Sequence, residues 1–267
     1  MLNGHATPDQ LARALTAVTL CALGILEIAR PGCFGGIWMY FRGTRAALSP
    51  VQRERLEHVL EARTAAEGAT VRYTRYAGAF TIAMAALALV PSVPYVTAYA
   101  AASLGLAVAM LLAYLQFRRA TEKRVAPLVR RNAWASLPPL AIAPAAICTL
   151  GAAAFAVFPQ FRVGAITAVV SSLVLCWIAW RVAVAPALLI GNDPQLEYRV
   201  DEHVRFCRAT GLIALGCAPP TVIVLLGYAS LPGNDPFING ITLVVLVAFA
   251  IAQGVSLNPI RDRISFA

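Results

Sequence analysis

Two stretches of the chain repeat a tripeptide whose residues can bind metal. "RLEHVLEAR" (55–63) and "VDEHVRFCR" (200–208) each contain Glu-His-Val, and together they hold two of the three histidines. Residues three or four apart share a helical face, so Glu54, His58 and Glu61 would line one face and His203 and Cys207 another. If the two helices met, His58, Glu61, His203 and Cys207 would supply four ligands of the kind that hold zinc tetrahedrally. No CxxC pair or comparably tight spacing accompanies them, and charged, solvated helices often carry histidines with no ligand role. Coincidence therefore ranks first, duplication of a helix that leads into a span second, and a metal site third. No cofactor is expected.

A second acidic run follows a turn. "NDPQLEYRVD" (192–201) resembles the Asn-Asp-led acidic motif of membrane prenyltransferases, which implies carboxylates holding magnesium on a diphosphate. Asp193, Glu197 and Asp201 are four apart and would share a helical face near His203. Leu196 stands where the motif has a further aspartate, and the second "GNDP" (233–236) is followed by no acids. Both read better as turns with a helix cap. Without a catalytic constellation, the chain reads as a non-enzyme.

The apolar stretches bear chemistry mainly by what they lack. Apart from the first, their interiors hold no Asp, Glu, Lys or His. Ion-coupled pumps and proton relays need ionisable groups at depth, and a haem needs axial ligands. The single lysine, Lys123, lies in a loop, which excludes a retinal Schiff base within a span. Glu27 is the one acid in a span, with Arg30 three residues on as its expected partner. Of six cysteines, Cys21, Cys148, Cys176 and Cys217 fall in apolar stretches, where thiols behave as small hydrophobes. Prolines interrupt two stretches, at Pro138, Pro139 and Pro144 and at Pro219 and Pro220. Freed carbonyls in lipid need partners or a cavity, and interrupted helices in matching positions point to a transport site. Ser136, Thr149, Ser171, Ser172, Thr221 and Gln253 would line such a site for an uncharged or amphiphilic ligand. Packing kinks are the favoured reading, aided by small residues such as Ala101, Gly105 and Ala109.

The elements that position these residues follow from composition. The chain is 59% hydrophobic and 13% charged, with a mean hydropathy of +0.70. So few charges cannot cover a water-facing surface, and lipid must be the main solvent. The pattern predicts an all-α polytopic transmembrane bundle forming one membrane domain over 1–267. About 20 apolar residues cross a bilayer, and seven stretches qualify: 11–29, 76–92, 95–117, 133–157, 163–185, 209–229 and 238–257. The count is six if the first, the weakest, lies in the interface. Three hairpins (76–117, 133–185 and 209–257) are joined by a cytoplasmic amphipathic segment (30–75), a basic loop (118–132) and a cytoplasmic helix (186–208). A cytoplasmic tail covers 258–267. Ser49-Pro50 and Asp193-Pro194 each mark a helix start, and Asp201–Arg205 is spaced to pair.

Charge sets the orientation. The formal net charge is +9, and twenty of the twenty-two basic residues fall in segments on one side. Only Arg13 and Arg162 fall on the other. Basic loops stay cytoplasmic, so the N-terminus is expected outside and the C-terminus inside. Trp38, Trp134, Trp177 and Trp180 sit near the cytoplasmic interface on this scheme. The basic residues therefore suit anionic lipid rather than nucleic acid. Arginine-over-lysine and alanine-rich usage suggests a bacterial inner membrane. The expected function is an integral membrane subunit or scaffold binding other membrane proteins, itself or lipid. The alternative is a transporter or channel for a neutral or lipid-like molecule, built on the proline-interrupted fourth and sixth spans.

Overall fold

Helices make up all the regular structure in the computed structural model, which describes residues 7–29, 41, 48–121, 137, 139–185, 194–230 and 236–257. They are α1 (Pro8–Ala29), α2 (Pro50–Ala88), α3 (Tyr95–Thr121), α4 (Pro139–Phe155), α5 (Arg162–Val184), α6 (Pro194–Ser230) and α7 (Pro236–Leu257). Five of them, α1, α3, α5, α6 and α7, are long and apolar enough to cross a membrane. Two sequence-predicted spans differ. The second is the apolar end of α2, whose first half is charged. The fourth is shorter than the stretch 133–157, because α4 starts at Pro139 and has 17 residues. Proline is suited to a first helical position, where its missing N–H costs nothing. Pro139 is therefore a start signal, and Pro144 alone interrupts α4.

The helix starts read from the sequence have clear causes. Ser49 caps α2: its hydroxyl accepts from the Gln52 amide, and the Gln52 side chain accepts from the Ser49 N–H. This reciprocal capping box, with Pro50 behind it, launches 39 helical residues. At 1.5 Å per residue α2 is about 58 Å long and the 37-residue α6 about 55 Å. Each runs a charged segment into an apolar one without a break. Asp193, the expected cap of α6, lies outside the described residues.

α6 is the centre of the bundle. Its apolar stretch is 83% buried, against 28% for α7, as expected of a helix apolar all round. α5, α4, α7 and α1 pack on it, and α3 joins α5 to the α1–α2 pair. α1 lies antiparallel along α2. At one end, Arg13 pairs with Asp9 at 2.7 Å and donates to the carbonyls of Val90 (2.9 Å) and Val93 (2.7 Å) in the α2–α3 turn. Further along, Gly24 meets Gly78 so closely that a Cβ on Gly24 would sit 2.6 Å from the Gly78 carbonyl oxygen. Gly105, expected to allow close approach, lies under the Phe80 ring.

Candidate functional sites in the bundle

The two Glu-His-Val segments do meet. On α2, Leu56, Val59 and Leu60 form a buried face, and on α6 Leu196, Val200 and Val204 answer it, with Phe41 completing the cluster. The valine of each copy points inward, but the histidines have different fates. His203 is 6% exposed, with its ring 5.1 Å from that of Phe41 and its Nε2 3.8 Å from Cys207 Sγ. His58 and Glu61 are exposed. The structure thus brings His203 and Cys207 together and turns His58 and Glu61 to the outside. Among the described residues, no group of three or more His, Cys, Asp or Glu could hold a metal ion.

Above this apolar cluster sits an ionic one. Arg63 of α2 donates to Asp201 of α6 at 2.7 Å, with both side chains buried. Arg205, one turn along α6, takes the other oxygen of the same carboxylate and also donates to the carbonyls of Ala183 and Ala185. Those carbonyls end α5, where a cation satisfies groups that lack helical partners. Arg208, one turn further, lies with its guanidinium carbon 5.2 Å from the centre of the Phe117 ring on α3. One aspartate therefore ties α2, α6 and α5 together, and α6 reaches α3 through an arginine. Asp201 is held by two guanidiniums, and Glu197 is buried at 1% exposure. Sequence reading found the Asp201–Arg205 spacing and missed Arg63, which stands 138 residues from Asp201.

The second predicted site lies around the α6 prolines. Pro219 and Pro220 leave the carbonyls four residues earlier without their helical donors. Nearby polar groups bond to one another and to backbone. Tyr99 Oη donates to the Pro219 carbonyl, Thr221 Oγ1 to the Cys217 carbonyl at 2.8 Å, and Gln253 Nε2 to the Ala214 carbonyl at 3.1 Å. Thr149 and Ser172 share a hydrogen bond of 2.9 Å between α4 and α5. Thr149, Ser172 and Thr221 thus converge where α4, α5 and α6 cross, with Thr221 Oγ1 3.8 Å from Cys148 Sγ. Ser171 is fully buried, and its hydroxyl has no partner among the described residues. Pro139 stands at the exposed start of α4, and Ser136 and Pro138 lie outside the described residues.

A third feature was not anticipated. α4 and α7 enclose two apolar grooves of about 550 and 490 Å³ that share Ile147 and Val244. Together they run from Pro139 at one end to Phe237 at the other. Gly240 lies in the groove, and a Cβ there would meet nothing within 4 Å. Gly151, also in the groove, is covered by Val245. No family model, curated protein or solved structure matches the chain.

Proposed function

We propose that this chain is a non-enzymatic, multi-pass subunit or scaffold of a bacterial inner membrane, docking another transmembrane helix along its α4–α7 face. The observation that carries the reading is the groove around Gly240. With the second groove that continues it past Ile147, it follows the 17 residues of α4, about 25 Å, close to the ~30 Å hydrocarbon core. A lipid chain fills one leaflet, whereas a helix fills the whole depth. Interior glycine costs a helix up to about 1 kcal/mol relative to alanine, and internal packing gives no reason for it at Gly240. Close approach of a partner backbone does. In this reading all seven helices cross or enter the bilayer, with α1 as a full span because it lies antiparallel along α2. The N-terminus is outside, the C-terminus is inside, and the basic segments lie on anionic cytoplasmic lipid.

The test is the mass of the particle released from its native membrane in mild detergent. The proposal expects a complex heavier than one chain in its micelle, and Gly240→Phe, which fills the groove from within, should reduce it to the single chain. A wild-type particle already at single-chain mass contradicts it. The transporter alternative draws on Ser171, a buried hydroxyl left without a partner beside the Thr149–Ser172 bond. Flux of glycerol through proteoliposomes, abolished by Ser171→Val, would replace the scaffold reading with that one.

A further inference from the structure

The inward stripe of α1 carries a residue that packing does not explain. Buried positions recur at Ala12, Thr16, Leu20, Gly24 and Glu27. The first four are small or apolar, or, for Thr16, bonded within the helix to the Ala12 carbonyl. The fifth is a carboxylic acid at 5% exposure, and neither of its oxygens has a hydrogen-bond partner among the described residues. It stands at the closest part of the α1–α2 crossing: a Cβ on Gly78 would lie 2.7 Å from the Gly24 carbonyl oxygen and 3.0 Å from Glu27 Cβ. Ile28, next to it in the chain, packs towards Gly78, and no polar atom among the described residues bonds to the carboxyl group.

The charged and titratable groups on the helices packed with α1 are engaged or turned away. Arg13 is near the far end of α1, about 21 Å along the axis, held by Asp9 and the α2–α3 turn. On α2, Arg72, Arg75 and Tyr76 are exposed, and Tyr73 is half-buried. On α6, Arg208 lies against Phe117 and Cys207 against His203. On α3, Tyr114 meets Trp177 edge-on. None of these reaches the Glu27 carboxylate. Arg30, its expected partner, lies outside the described residues. A carboxylate buried without a counter-charge is strongly disfavoured, so the site as built calls for a cation.

We propose that Glu27 is a proton-binding site in the α1–α2 crossing, its carboxyl group carrying a proton in the folded chain. The proton neutralises the one acid in the stripe and lets the glycine crossing stay closed.

The full chain in detergent micelles, treated with dicyclohexylcarbodiimide, provides the test. The reagent adds to protonated carboxyl groups in apolar surroundings, and peptide mass locates the adduct. The proposal expects Glu27 to be labelled at a rate that falls about tenfold per pH unit above its titration point, equally in lithium, sodium and potassium salts. Saturable suppression of labelling by one of these ions at fixed pH would overturn it. Glu27→Gln, a neutral isostere, should fold, take no label and lose the pH-dependent part of the thermal shift. Resistance of Glu27 to the reagent at every pH and salt, relieved or not by Arg30→Ala, would overturn the proposal. So would an unchanged thermal shift in Glu27→Gln.

Discussion

Asp201 is the residue on which the charged end of the bundle depends. Two arginines from different helices share its carboxylate, and one of them also closes the end of α5. Buried pairs of this kind add little over apolar packing, but breaking one leaves an uncompensated charge and costs about 3–5 kcal/mol. Asp201→Asn should therefore destabilise the protein by about that much, read as loss of helical signal on heating in detergent. The double variant Asp201→Asn with Arg63→Met should recover part of it, because one stranded charge is removed. Equal loss in both variants would place the stabilising contact elsewhere. Half of this arrangement was legible, since Asp201 and Arg205 are four apart on one helix. Arg63 was not, because spacing shows which residues share a helix face and says nothing of which distant helix comes to meet it. The Glu-His-Val copies show the same limit. Their sequence is identical, yet neighbours bury His203 and leave His58 outside.

At the scale of elements, small residues decide how the helices approach. Gly227 of α6 and Gly240 of α7 look equivalent in the sequence and differ in surroundings. A Cβ on Gly227 would lie 2.0 Å from the Phe155 ring, which is itself packed edge-on against Phe161. Gly240 faces open space. Gly227→Ala should thus cost about 1–3 kcal/mol through overpacking, and Gly240→Ala should raise stability by up to about 1 kcal/mol through helix propensity. Thermal unfolding of the two variants side by side checks both signs. Helix existence was legible nearly throughout, because apolar run length and Ser-Pro caps are strong local signals. The start of α4 was misplaced because a proline read as an interruption was a first-turn residue. The polar bonding around the α6 prolines was also out of reach. Tyr99, the donor to the Pro219 carbonyl, stands 120 residues away on α3, and nothing in its sequence context marks it.

For the whole molecule, the account rests on lipid as solvent and on one basic end. The described structure gathers its buried ionic cluster at the end of the bundle where α3 and α5 finish. Arg13 and Arg162, assigned to the opposite face from the sequence, sit at the turns of the α2–α3 and α4–α5 hairpins. Trp177 and Trp180 are both partly exposed near the end of α5 that carries the ionic cluster, in keeping with an interfacial position. Hydrophobicity made the membrane-helix class legible, because it is summed over many residues, and charge asymmetry adds the sidedness as a prediction. Whether the apolar α4–α7 face meets lipid or protein was not legible, since such a face looks the same toward either. The chain's single lysine gives the most direct check. An amine reagent that cannot cross membranes, applied to sealed right-side-out cells and to inverted vesicles, should modify Lys123 only in the inverted vesicles. Modification of Lys123 in intact cells would contradict the account.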